Sequence, residues 1–290
     1  VEWRDLHPKR FFLETWRQLD AQVHGQSGER KWPDSVLACV VFASVAVSMI
    51  CQEYLGDREA FLSLVSMVAT PEARQSHPLL TWAFGLMIPG PEETFSREVL
   101  FGGYLELWVL CYWALWRILG FGLLPALLWA VYPALRQEGL GLSFKGFSQH
   151  AWVYAVLFVP VFIAVVAVSF LEEFTTYYPF YSQAHRSLWE FAVWDSFYLA
   201  QFLCLELFFR GFMLQPLRKV MGSSAIFAMM VPYVMIHFGK PMLECFGAVI
   251  AGIVLGTLAM RTRSIWAGFA LHAGIALSMD LLSIWQNTLR

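Results

Sequence analysis

Charge is what this chain has least of. Asp, Glu, Lys and Arg make up 14% of its 290 residues, against roughly a quarter in a soluble globular protein. Twelve of the 42 charged residues fall in the first 34 positions, so the remaining 256 residues hold only 30, bunched between long apolar runs. That distribution excludes a single water-soluble domain. There is no basic block, which excludes a nucleic-acid-binding protein. The five cysteines, Cys39, Cys51, Cys111, Cys204 and Cys245, lie in or beside apolar segments without paired spacing, so neither a disulfide framework nor a thiolate metal site is expected. Sustained period-two alternation is missing over most of the length, which argues against a membrane β-barrel. No internal repeat with matching interrupted helices stands out, so the two-halved transporter pattern is not seen. No removable signal peptide is evident, and the first apolar run, from about Ser35, is expected to act as a retained signal anchor.

What the chain has is hydrophobic residues, 58% of the total, with 17% aromatic. They form runs close to the ~20 residues that a helix rising 1.5 Å per residue needs to cross a bilayer. The runs at 35–52, 99–117, 118–135, 150–171, 189–214, 223–238, 245–260 and 264–285 predict an all-α, polytopic transmembrane bundle of about eight spans, with 79–90 as a short re-entrant or interfacial piece. Three regions follow: a polar, partly amphipathic arm over 1–34, N-terminal spans over 35–135, and a core bundle over 150–285. Phe11, Phe12, Leu13, Trp16 and Leu19 recur at helical spacing, so the arm is expected on the membrane surface or as a solvated segment. Arg218, Lys219, Arg261, Arg263, Arg136 and Lys145 all fit loops on one face, taken as cytoplasmic, and Glu172 and Glu173 fit the other. Placing the arm inside as well requires an even number of crossings before Arg136, whereas the runs in that interval number three. Gly247, Ala251, Gly252 and Gly256 offer close helix packing, and Trp189, Trp266 and Trp285 are expected as interfacial anchors.

Ionisable groups inside spans are costly, of order 2.5–3.5 kcal/mol each, so each one invites a functional reading. The candidates are Glu106, Glu190, Asp195, Glu206, Arg210, His237, His272 and Asp280. Five of these fall in the last 85 residues. Glu206 and Arg210 stand at i and i+4, share a helix face and can pair. His237 closes an apolar run ahead of Gly239-Lys240-Pro241, and His272 lies inside the last run between Leu271 and Ala273. A carboxylate near imidazoles can take a proton from water and deliver hydroxide to a carbonyl, while a second imidazole donates to the oxyanion. Peptide hydrolysis inside the membrane is the natural reaction class. Zinc ligation by two His and a carboxylate is the rival and ranks lower, since the helical His-Glu-x-x-His pattern is absent. No Gly-x-Ser-x-Gly elbow supports a serine mechanism. Asp280 reads as a packing or interfacial residue rather than an auxiliary carboxylate.

Three motifs in order resemble one known family. Glu206-Leu207-Phe208-Phe209-Arg210-Gly211, then Tyr233-x-x-x-His237, then His272 after Ser264-Ile265-Trp266-x-Gly268, are similar to the CPBP family of CAAX-protease and bacteriocin-processing-type intramembrane glutamic endopeptidases. The resemblance covers about 187–285, and His237 to Pro241, Glu244 and Ala251-Gly252-x-x-x-Gly256 are similar to a bacterial branch. It implies a catalytic set of Glu206, Arg210, His237 and His272, with His237 holding the water, His272 stabilising the oxyanion, and no cofactor or metal. The sequence departs from the family at two positions: Leu205 stands where the first of two glutamates is expected, and Ala276 where an asparagine often follows the last histidine.

The expectation is an endopeptidase of the bacterial inner membrane, its N-terminus cytoplasmic. It would cut a lipidated, leader-bearing or membrane-tethered protein with a glutamate-activated water, Arg210 orienting Glu206. The alternative is an inactive protein of the same fold that binds a transmembrane or lipidated partner segment. The proteolytic reading requires Glu206 and His237 to approach within a water-bridged distance, although they are expected near opposite ends of adjacent helices.

Overall fold

A computed structural model describes residues 7–25, 33–87, 99, 101–137 and 139–289. Among the described residues the elements are all helical, and six helices are long and apolar enough to cross a membrane. A π-helical turn, Lys9–Glu14, leads into α1 (Thr15–Gly25). Then come α2 (Asp34–Leu55), three short helices α3 (Arg58–Ser66), α4 (Pro71–Ser76) and α5 (Pro78–Met87), and the long α6 (Leu105–Val131). After α7 (Pro133–Arg136), α8 (Phe144–Val168) and α9 (Glu172–Tyr177), the C-terminal half contains α10 (Leu188–Met221), α11 (Ser224–Met235), α12 (Met242–Thr262) and α13 (Trp266–Leu289).

The count of six corrects the expected eight in two places. The runs at 99–117 and 118–135 are one helix, continuous through a π-helical turn at Leu119–Leu123. Gly120 and Gly122 lie in this turn. In the fold they let α6 close on its neighbours, because a β-carbon at Gly120 would strike Gln52 of α2 and one at Gly122 would lie 2.7 Å from the Cys204 sulfur of α10. The second correction is α11, which has 12 residues and so reaches only about 18 Å of the roughly 30 Å hydrocarbon thickness.

The core forms around α10. This helix is π-helical over Leu207–Met213, and every residue from 208 to 218 is buried. Phe208, Phe209, Phe212 and Met213 pack with Val41 and Val45 of α2, Ile226 and Met229 of α11, and Ala259 and Met260 of α12. Gly211 is required here: a β-carbon would sit 2.5 Å from the Leu140 carbonyl oxygen. The same 139–143 connector clasps the start of α13 through Ile265 N to the Gly141 carbonyl at 2.9 Å. Trp266 Nε1 donates to the Leu142 carbonyl at 2.9 Å, and its ring stacks on Phe144. Trp266 thus clasps the connector to the start of α13, and Trp189 and Trp285 are exposed. Gly252 and Gly256 do give close packing, against Met230 and Met229 of α11, but nothing lies near Gly247.

At the opposite end, three of the carboxylates singled out inside the apolar runs hold a loop. Glu106 accepts from Ser182 N at 2.8 Å and Ser182 Oγ at 2.6 Å. Ser187 caps the start of α10, with Glu190 N donating to Ser187 Oγ and Ser187 Oγ donating in turn to Glu190 Oε1. Asp280 of α13 accepts from Phe180 N at 3.0 Å.

Candidate functional site

Each element brings one or two polar groups to a single place beside the π-helical turn. Glu206 and Arg210 come from α10, His272 and Gly268 from α13, Tyr233 from α11, and His237 from the turn that follows α11. Arg210 Nη1 lies 3.2 Å from Glu206 Oε1, and His272 Nδ1 lies 2.8 Å from the same oxygen. The other carboxylate oxygen is turned to Gly268, where a β-carbon would fall 2.6 Å from the carboxylate carbon. Only glycine leaves room for Glu206 at that level of α13.

Tyr233 joins the remaining groups. Its hydroxyl lies 2.8 Å from His272 Nε2, and its carbonyl oxygen 2.8 Å from His237 Nδ1. The Arg210 guanidinium stands 4.1 Å from the centre of its ring, a cation–π contact. These partners set the tautomers. A neutral His272 that presents Nδ1–H to the carboxylate accepts the tyrosine O–H at Nε2. His237 donates Nδ1–H to a carbonyl, which leaves Nε2 as a free base.

Burial sharpens the picture. Glu206 and Arg210 are fully buried, and His272 keeps 16% of its side chain exposed. Their contacts are close but poorly aligned: both Glu206 oxygens, the three guanidinium nitrogens and His272 Nδ1 are buried without a well-directed hydrogen bond. A buried ion pair is weak as a stabilising device because desolvation offsets its Coulomb gain. Unspent hydrogen-bonding capacity in such a pair is a feature of sites that take up another polar group.

The structure thus brings Glu206, Arg210 and His272 into direct contact and attaches His237 through Tyr233. The expected conflict of depth disappears because α11 is short. Counted from the basic end of α10, Glu206 lies about 18 Å into the bundle, and 12 residues of α11 carry the chain about as far. Asp195 and Asp280 do not join this group. Asp195 is buried without a hydrogen-bond partner among the described residues, 11 residues before Glu206 on α10. Leu205 is buried in the apolar cluster around Phe208. Sequence reasoning used Tyr233 only as a spacing mark. A tyrosine in a span four residues before a histidine carries a polar tip that needs a partner, and that was the available signal.

The fold and site define an all-helical integral membrane protein with a buried carboxylate, arginine and histidine centre. Residues 151–278 match the family described as type II CAAX prenyl endopeptidase Rce1-like, so this stretch of the chain is similar to that endopeptidase family. That stretch runs from α8 into α13 and contains all four expected site residues. No curated protein and no solved structure matches the chain.

Proposed function

We propose that the protein is an intramembrane endopeptidase that hydrolyses a peptide bond of a lipidated, leader-bearing or membrane-tethered protein. The observation that carries this reading is the contact of Glu206 with both Arg210 and His272 in a fully buried centre. In the proposed reaction Glu206 takes a proton from water as the water oxygen bonds to the substrate carbonyl carbon. Arg210 holds and orients the carboxylate, the free Nε2 of His237 accepts a hydrogen bond from the water, and His272 turns its Nδ1–H from the carboxylate, as Glu206 takes up the proton, to the oxyanion. Collapse of the tetrahedral intermediate breaks the C–N bond, and the proton passes from Glu206 to the leaving amine. His272 is the more exposed partner, so the substrate carbonyl meets it before the carboxylate.

The long helices α2 and α6 are two crossings between the arm and Arg136, an even number, which supports a cytoplasmic N-terminus with the basic loops on the same face. The bacterial inner membrane remains the proposed location. One observation favours a second reading, a binder of lipidated or transmembrane segments that does not cut: the first motif position is Leu205, packed in the apolar core.

The test is processing of the host's membrane-tethered proteins by wild type, Glu206→Gln and His237→Ala. Accumulation of an uncut substrate in both variants is expected. If both variants process every candidate as wild type does, the enzyme reading fails. Co-purification of wild type with an uncut partner then supports the binder.

A further inference from the structure

The N-terminal segment does not lie free on the membrane surface; it is seated on the bundle. Phe11, 5% exposed, packs with Val153 and Tyr154 of α8, Leu255 and Leu258 of α12, and Ala267 of α13, with Leu271 beside them. Further along, Trp16 Nε1 donates to Thr257 Oγ1 at 3.2 Å and its ring meets Phe227. Asp20 accepts from Ser223 N at 2.8 Å and from Ser223 Oγ at 3.1 Å. The two halves of the segment are therefore held differently. The second half carries directed hydrogen bonds, whereas Phe11 is held by apolar contact, with the Arg261 guanidinium 6.0 Å from its ring.

The Phe11 pocket adjoins the site. On α13, Gly268 and His272 stand at i and i+4 and face Glu206, while Ala267 and Leu271, each one residue earlier, stand about 100° around the same helix and face Phe11. A peptide with one side chain in the Phe11 pocket has to pass over a single helix face to bring its backbone to His272.

Resting on the endopeptidase reading, we propose that this pocket is a substrate subsite for a bulky aliphatic or aromatic side chain, and that Phe11 occupies it as a removable plug. The substrate displaces the first turn of the arm, while Trp16 and Asp20 keep the rest anchored. Exposed Lys9 and Arg10 flank the plug on the open side.

The test uses full-length protein in nanodiscs and a farnesylated peptide in which two aliphatic residues follow the lipidated cysteine, one of them photo-leucine. In a Glu206→Gln background the crosslinks are expected at Val153, Tyr154, Leu255 or Leu258. Phe11→Ala is expected to raise apparent affinity about tenfold, as for a pocket closed in nine molecules of ten. Trp16→Ala, which loosens the other anchor, should act in the same direction. Peptide cleavage by wild type with no crosslinks at the pocket and no effect of either arm variant overturns the subsite and leaves the endopeptidase reading standing. Pocket crosslinks that Phe11→Ala strengthens, with no cleavage by any variant carrying Glu206, uphold the subsite and overturn the endopeptidase reading. Neither crosslinking nor cleavage overturns both.

Discussion

Helices α8 and α10 are both apolar enough to span a bilayer, yet they solve opposite problems. In the spanning part of α8, 17% of the residues are buried and none is charged; in the corresponding window of α10, 67% are buried. Helix α10 carries Asp195, Glu206 and Arg210 along its length. A helix facing lipid has no partner for a charge, so sequence excludes charge from it. A helix enclosed by other helices can keep charges where neighbours supply counter-charges, and α10 is enclosed by α2, α6, α11, α12 and α13. Hydrophobicity alone therefore does not separate a lipid-facing span from a site-bearing one. Burial and the few retained charges do.

The comparison breaks most severely if the α10 pair is split. Arg210→Leu leaves Glu206 buried without its guanidinium and is expected to cost about 3–5 kcal/mol, whereas the double change Arg210→Leu with Glu206→Leu should return close to wild type. Thermal melting in detergent checks both. An uncharged substitution on α8, such as Val161→Leu at an exposed position, should leave melting unchanged.

Helix α13 touches both helices through glycine, which permits a matched pair of tests. Gly268→Ala drives a methyl into the Glu206 carboxylate and should cost about 1–3 kcal/mol and lower activity. Gly274→Ala meets the far edge of the Phe158 ring of α8 at 3.0 Å. That ring can turn aside, so its melting temperature should move far less than that of Gly268→Ala.

Tyr233→Phe is the mildest change. It removes one hydrogen bond, worth about 1 kcal/mol, and frees His272 Nε2. Imidazole ¹⁵N spectra should show a changed His272 environment with that of His237 retained, because His237 bonds the Tyr233 backbone carbonyl.

Much of this was legible in the sequence. The i, i+4 spacing of Glu206 and Arg210 foretold their pairing, and the scarcity of charge drew attention to His237 and His272. Other features were not legible because they depend on neighbours. A glycine pair at 120 and 122 has the same composition whether it breaks a helix or lets two helices close. The length of α11 depends on where its helix ends, at Met235, and its apolar run continues past that point. Glu106, Glu190 and Asp280 carry the same chemistry as Glu206, but loop 178–187 uses them as backbone and hydroxyl acceptors, a role that only tertiary placement reveals. The seating of Phe11 required knowledge of a groove built from three distant helices.

The central claim is that the Glu206 carboxylate performs the chemistry from its place between Arg210 and His272. It is tested most directly by single-turnover cleavage of a membrane-tethered reporter by wild type and Glu206→Gln, at equal reporter occupancy and with matching helical circular dichroism. General-base catalysis predicts a rate for Glu206→Gln lower by about 10²–10⁴. Equal rates would contradict the account.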